Sequence, residues 1–74
     1  MIVKFPKTMG RKQDGILTKW LAADGANVEE GDRLFAYETS KMASDILSPA
    51  AGILHHVVSE GERIKYDQTV ATIE

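Results

Sequence analysis

Turn-forming residues interrupt this chain so often that no interval favours a long helix. Glycine, proline or Asx residues recur at positions 6, 10, 14–15, 24–25, 31–32, 49, 52, 61 and 67. The segments between them are rich in branched and aromatic residues, which favour strands. Strands are predicted at 2–5, 16–21, 34–39, 42–47, 53–58 and 69–73. Six or more short strands with turn signals about every 8–12 residues are typical of an all-β sandwich or flattened barrel.

The two halves of the chain look like copies of one unit. When residues 15–38 are placed beside 52–74 with one residue gapped, both segments begin with Gly-Ile-Leu and end with Glu. In this alignment, Asp32 corresponds to Asp67. Two copies are too few for a solenoid, so the repeat predicts a sandwich with pseudo-two-fold symmetry in which residues 39–51 lie far from the termini. The alternative is that β proteins share such turns by chance.

Composition limits the classes of function. With 74 residues, 43% of them hydrophobic, the chain is expected to form one domain over 1–74 without room for a buried catalytic cleft. It contains no cysteine, which excludes a disulfide or a thiol nucleophile. Nucleic-acid binding is disfavoured because the net charge is −2 and the basic residues cluster only near the start. No membrane span or leader pattern is seen, so a cytoplasmic location is the default expectation.

A tight hairpin is predicted where two strand-like segments are separated only by Ser40 and Lys41. Two-residue hairpins favour Asn-Gly or other glycine-containing pairs that accept positive φ, and Ser-Lys is not such a pair. Turn stability alone therefore does not explain these residues. A lysine at this point projects its amine into water, where a modifying enzyme can reach it, although a lysine in a turn is more often only a solvated charge.

The run Glu38-Thr39-Ser40-Lys41-Met42 resembles the lipoyl domains of 2-oxo acid and acetoin dehydrogenase acyltransferase components, which belong to the biotinyl/lipoyl attachment family. Gly-Asp-Arg-Leu upstream and Ser-Pro-Ala-Ala-Gly downstream of this run fit the same family. The resemblance implies a flattened barrel of the hammerhead type, built of two four-stranded antiparallel sheets. It also implies that Lys41 is the modified lysine, on an exposed hairpin opposite the termini.

The identity of the attached group stays open between two cofactors. Glu38 and Thr39 before the turn look like lipoyl domains, so lipoate covalently attached to Lys41 is favoured. Ser40 stands where lipoyl domains commonly have Asp, and Met42 is typical of the Met-Lys-Met run of biotinyl domains, so biotin is the alternative. The four neighbours of the lysine are expected to be recognised by the modifying enzyme. An unmodified interaction module of the same fold is the third hypothesis.

The resemblance implies a carrier rather than an enzyme, with Lys41 as the stem of a swinging arm for acyl groups and reducing equivalents. The implied partners are a lipoate ligase or lipoyl transferase, a thiamine-diphosphate-dependent dehydrogenase component, an acyltransferase core and dihydrolipoamide dehydrogenase. In the family, the loop corresponding to residues 6–14 lies near the lysine hairpin and helps the first enzyme to recognise its carrier. Lys7, Arg11 and Lys12 are therefore expected to select a partner, against the alternative of a solubilising loop.

Other residues invite a functional interpretation that the pattern does not favour. His55 and His56 are adjacent on a predicted strand, so their side chains point to opposite faces and do not line one metal or acid–base site. Trp20 lies in an alternating strand, where a packing role is expected. The acidic residues of the turns are interpreted as solvated rather than as paired catalytic carboxylates.

Overall fold

The computed structural model describes residues 1–74 and contains eight strands. Their bounds are β1 Ile2–Lys4, β2 Gly15–Trp20, β3 Asn27–Val28, β4 Arg33–Glu38, β5 Ala43–Leu47, β6 Gly52–His56, β7 Arg63–Ile64 and β8 Thr69–Ile73. Six of them match the predicted strands to within two residues at each end. Strands β3 and β7 were not predicted, because a strand of two residues carries no alternating pattern. No helix long and apolar enough to cross a bilayer is present.

The strands make two four-stranded antiparallel sheets, in the orders β1-β8-β6-β3 and β5-β4-β2-β7. Exchanging β1 with β5, β2 with β6, β3 with β7 and β4 with β8 converts the first order into the second. The same exchange holds for single hydrogen bonds. The Gly61 amide donates to the Leu17 carbonyl at 2.7 Å, and the Gly25 amide donates to the Leu54 carbonyl at 2.7 Å. The predicted all-β fold with pseudo-two-fold symmetry is therefore confirmed.

One detail of the predicted repeat is wrong. Asp32 does not correspond to Asp67. The residues with positive φ in the turns before β4 and β8 are Gly31 (φ 92°) and Asp67 (φ 67°). In the next position, the side chains of Asp32 and Gln68 each accept a 2.8 Å hydrogen bond from the amide that opens their own turn. Asp32 therefore corresponds to Gln68, and the shared residue type misled the alignment by one position.

The core lies between the inner faces of the two sheets. Its 13 buried hydrophobic residues are Val3, Phe5, Leu17, Val28, Leu34, Phe35, Tyr37, Leu54, Val58, Ile64, Val70, Ala71 and Ile73. Fully burying a large apolar side chain stabilises the fold by about 1.5–3 kcal/mol, so this cluster is the main source of stability in a chain without disulfides.

Trp20 has the packing role that was predicted for it. Its ring packs edge-on against Phe35, with centroids 5.2 Å apart, and stacks on His56 at 3.6 Å. The indole Nε1–H donates to the Val58 carbonyl at 3.0 Å. His55 instead has Nε2 3.4 Å from a carboxylate oxygen of Glu74, without the angle of a hydrogen bond. The two histidines thus make separate contacts and do not converge on one site.

The hairpin joining β4 to β5 lies at the opposite end of the molecule from the termini. A Cβ on Gly15 would meet the Phe5 ring at 2.9 Å and the Glu38 carbonyl oxygen at 3.1 Å, so the inner end of β1 is near this hairpin. From there β1 and β8 run side by side to the other end, where the Met1 amino group donates to the Ile73 carbonyl at 2.6 Å. The longest dimension of the molecule is 31 Å.

Candidate functional site

Lys41 lies in the loop between β4 and β5, which we call the tip (residues 39–42). The last residue of β4, Glu38, pairs with the first residue of β5, Ala43. Ser40 and Lys41 are both exposed, and Lys41 has no carboxylate within ion-pair distance. The amine of this lysine is therefore available to a large partner.

The backbone of the tip differs from the usual two-residue hairpin turn. The Thr39 amide donates to the Met42 carbonyl at 2.8 Å, as expected for a tight hairpin. Neither Ser40 nor Lys41 has positive φ. The amides of Lys41 and Met42 both donate to the Thr39 hydroxyl, each at 3.3 Å. A side chain therefore supplies part of the bonding that the backbone provides in Asn-Gly turns.

Met42 joins the tip to the body of the domain through a hydrophobic contact. Its side chain is half-buried against the hydrophobic core, together with that of Ile46. Glu38 and Ser40 remain exposed. An apolar residue at position 42 thus has a packing role, independent of which enzyme modifies the domain.

A groove of about 340 Å³ lies beside the tip. Its lining residues come from the end of β4, the tip, the start of β2 with the residue before it, and β7: Asp14, Gly15, Ile16, Glu38, Thr39, Ser40 and Arg63. Arg63 and Asp14 form an exposed ion pair at 3.8 Å across it, whereas Glu38 has no basic side chain within that reach. No local pattern predicted Asp14, Ile16 and Arg63 as site residues, because they approach the tip only through sheet pairing.

Residues 6–14, which we call the excursion loop, have their own internal hairpin. Thr8 and Arg11 exchange backbone hydrogen bonds of 3.0 and 2.9 Å, and the two residues between them, Met9 and Gly10, have φ of 52° and 72°. This is the geometry of a type I′ turn. The buried Thr8 hydroxyl bonds to the Gln13 amide group at 2.6 Å. The loop is therefore an ordered element.

The basic residues of the excursion loop are all exposed, and they are Lys7, Arg11 and Lys12. Lys12 places its Nζ 5.5 Å from the centroid of the Tyr66 ring. The end of the loop, at Asp14, borders the groove beside the tip. The predicted site residues thus fall into two neighbouring groups, the tip itself and a separate basic loop whose end reaches the same groove.

Comparison with known proteins identifies the type of domain. A family model described as "Biotin-requiring enzyme", which covers biotin and lipoyl domains, matches residues 2–73. The chain belongs to the biotin/lipoyl attachment family. The domains of this family are carriers to which biotin or lipoate is covalently attached. The predicted family is therefore confirmed.

Relatives of this attachment domain fall into two groups. The first group is succinyltransferase components and the second is acetyl-CoA carboxylases. In the first group, a probable dihydrolipoyllysine-residue succinyltransferase component of the 2-oxoglutarate dehydrogenase complex from Schizosaccharomyces pombe is 32% identical over 95% of the chain. The corresponding component from Staphylococcus saprophyticus is 28% identical over 96%. Acetyl-CoA carboxylase 2 from Oryza sativa subsp. japonica is 36% identical over 78%. The chain spans only 15%, 17% and 2% of these proteins, respectively.

Proposed function

We propose that this attachment domain is a lipoyl carrier and that Lys41 is the lysine that receives lipoate. The observation that carries the proposal is the exposed, unpaired Lys41 at the tip of a tight hairpin, remote from the termini. A carrier lysine must enter the active site of the enzyme that modifies it and must be clear of the domain surface. The tip satisfies both requirements.

Two observations favour lipoate over biotin. The succinyltransferase relatives, whose names include dihydrolipoyllysine, match 95% and 96% of the chain, whereas the carboxylase matches 78%. Met42, the residue that resembles biotinyl domains, packs against the core and is explained by that contact. The stronger signal beside Lys41 is then the resemblance of Glu38 and Thr39 to lipoyl domains. Ser40 is the one departure from the lipoyl pattern.

Attachment is an amide-forming group transfer. Nζ of Lys41, as the free amine, attacks the carbonyl carbon of a carboxylate activated as an acyl adenylate by the modifying enzyme. A C–N bond forms, the bond from that carbon to the adenylate oxygen breaks, and the amine loses a proton. Lys41 thereby loses its positive charge and becomes the stem of a flexible arm. The attached dithiolane supplies the redox and acyl-transfer chemistry, and the domain supplies position.

The domain acts by keeping the arm at high local concentration near successive active sites. The partners we propose are a lipoate ligase or lipoyl transferase, a thiamine-diphosphate-dependent dehydrogenase component, an acyltransferase core and dihydrolipoamide dehydrogenase. Glu38, Ser40 and Met42 are proposed as residues that the modifying enzyme recognises. Lys7, Arg11 and Lys12 are proposed to select the dehydrogenase component, because they are exposed on an ordered loop whose end borders the tip groove.

Mass spectrometry of the domain from a host with both lipoate and biotin ligases tests the proposal. We expect a lipoyl or octanoyl amide on Lys41, complete loss of it in Lys41→Arg, and no change in the matched control Lys19→Arg, which alters an exposed lysine on β2. Arginine keeps the charge but does not accept the acyl group. A biotinyl mass on Lys41 would replace the lipoyl proposal by the biotinyl alternative, and an unmodified lysine with sufficient ligase and cofactor would leave the unmodified interaction module.

A further inference from the structure

The Thr39 hydroxyl is at the centre of the hydrogen bonding inside the tip. Its oxygen accepts from the amides of Lys41 and Met42, each at 3.3 Å, and lies 3.5 Å from the Met42 carbonyl oxygen. A threonine hydroxyl offers one donor and two acceptor positions. All three are engaged within the four-residue tip, one by Lys41 and two by its immediate neighbour Met42.

The backbone of the tip does not provide these contacts by itself. Because Ser40 and Lys41 both have negative φ, the tip is not a primed turn, whose twist matches that of the flanking strands. The Met42 amide consequently bonds to the side chain of Thr39, and only the Thr39 amide makes a backbone bond across the tip. The excursion loop shows the contrasting solution, since its turn uses positive φ at Met9 and Gly10 and is closed by two backbone bonds.

We propose that Thr39 is a positioning residue for Lys41. Its hydroxyl holds the Lys41 and Met42 amides, fixes the backbone at the lysine, and so fixes the direction in which the lysine side chain leaves the tip. The inference rests on the proposed attachment at Lys41. It assigns Thr39 a role inside the domain, in place of direct recognition of Thr39 by the modifying enzyme.

Three substitutions separate the two roles. Thr39→Val keeps the shape and removes the hydroxyl. Thr39→Ser keeps the hydroxyl. Thr39→Asn replaces it by an amide oxygen that makes the equivalent side-chain-to-backbone turn bond, so it rescues positioning but presents different chemistry to an enzyme. Thr18→Val is the matched control, because Thr18 is an exposed residue of β2 that makes no side-chain hydrogen bond and does not line the groove.

The first readout is amide hydrogen exchange, measured by NMR at Lys41 and Met42 in the unmodified domain. We expect faster exchange at these two amides in Thr39→Val, with wild-type exchange in Thr39→Ser, Thr39→Asn and Thr18→Val. Exchange of core amides checks that each variant is folded. This readout does not depend on whether Lys41 is ever modified.

The second readout is kcat/KM for lipoate attachment by a purified lipoate ligase. A displaced reacting group costs up to about 100-fold, so we expect a loss of about 10- to 100-fold in Thr39→Val and values within about threefold of wild type in the other variants. A wild-type rate in Thr39→Val, or a failure of Thr39→Asn to restore the rate although its amides are protected, would overturn the positioning role. A wild-type domain that no ligase modifies would overturn the proposed function instead, while the exchange data would still report on the Thr39 contacts.

Discussion

The two ends of the molecule carry equivalent pairs of antiparallel strands, β4 with β5 and β8 with β1. They differ in whether a loop connects the two strands of the pair. At one end Tyr37 of β4 pairs with Ser44 of β5. At the other end Ile73 of β8 exchanges two bonds with Met1, through the Met1 amino group at 2.6 Å and the Ile73 amide at 2.8 Å. The first ladder is closed by the tip, and the second is open. Because the open ladder forms without a connection, the sequence of the tip is free to serve another purpose.

The excursion loop is the second departure from symmetry, and it lies at the same end as the tip. Phe5 and Ser48 make equivalent bonds, since the Phe5 amide donates to Gln68 at 2.9 Å and the Ser48 amide donates to Asp32 at 2.7 Å. Nine residues then lead from Phe5 to β2, but only three lead from Ser48 to β6. The six additional residues are not needed to connect such strands. Both departures from symmetry are thus concentrated around Lys41.

A circular permutant tests whether the tip alone makes a modification site. The chain is opened between the exposed residues Ser59 and Glu60, and Glu74 is joined to Met1 through Thr-Ser-Lys-Met-Ala. We expect this chain to fold and to be modified at two lysines, Lys41 and the linker lysine, which intact mass and peptide analysis will count. A linker with Arg in place of Lys is the control and is expected to give one modification.

Linker length follows from the register of the two ladders. The pair of Ile73 and Met1 corresponds to that of Tyr37 and Ser44, so the linker supplies the counterparts of residues 39–43. The new run then reads Glu-Thr-Ser-Lys-Met, beginning at Glu74. Only the excursion loop and the ion pair of Asp14 with Arg63 have no counterpart at this end. Modification of Lys41 alone in a folded permutant would show that the tip sequence is insufficient and that its surroundings are required.

The glycines that begin β2 and β6 offer a comparison of stability between the halves. A Cβ on Gly52, which has φ of 154°, would collide with the Glu74 backbone and lie 2.7 Å from a methyl group of Ile73. A Cβ on Gly15 would meet the Phe5 ring at 2.9 Å. We expect Gly52→Ala to lower the free energy of unfolding by about 3 kcal/mol and Gly15→Ala by about 1–2 kcal/mol.

Urea denaturation measures both free energies, provided that the slope with denaturant is unchanged. Gly25→Ala is a control for the effect of positive φ alone, since Gly25 has φ of 84° and open space around its Cβ position. Equal losses for Gly15→Ala and Gly52→Ala would mean that the backbone contact with Glu74 relaxes as easily as the contact with an aromatic ring.

The sequence predicted the repeat, the strands of three or more residues and the exposure of Lys41, because periodicity and turn residues are local signals. It missed β3 and β7, which exist only through pairing with β6 and β2. It also equated Asp32 with Asp67, although the equivalence depends on which residue has positive φ. The glycines that begin the two halves lie close to the glutamates that end them, since Gly15 and Gly52 approach the Glu38 and Glu74 carbonyls.

The turn chemistry of the two loops near the site was less predictable. The unusual Ser-Lys pair indicated that the tip needed another explanation, but nothing local showed that the Thr39 hydroxyl bonds to two amides. The type I′ turn lies instead in the excursion loop, with Met9 in a conformation that favours glycine or asparagine. Such side-chain contacts and strained φ values are set by the whole loop, so residue preferences alone do not predict them.

The smallest expected effect concerns the charge of the excursion loop. Arg11 is exposed and has no carboxylate within ion-pair distance, so Arg11→Glu changes the charge of the loop without breaking an ion pair. Charges at the edge of an interface act mainly on the association rate, so we expect reductive acylation of the lipoylated domain by its dehydrogenase component to slow about three- to tenfold at low salt. The difference should shrink as salt screens the interaction. Lys19→Glu makes the same change of charge away from the loop and is expected to leave the rate unchanged; equal rates for both variants would remove the excursion loop from partner selection.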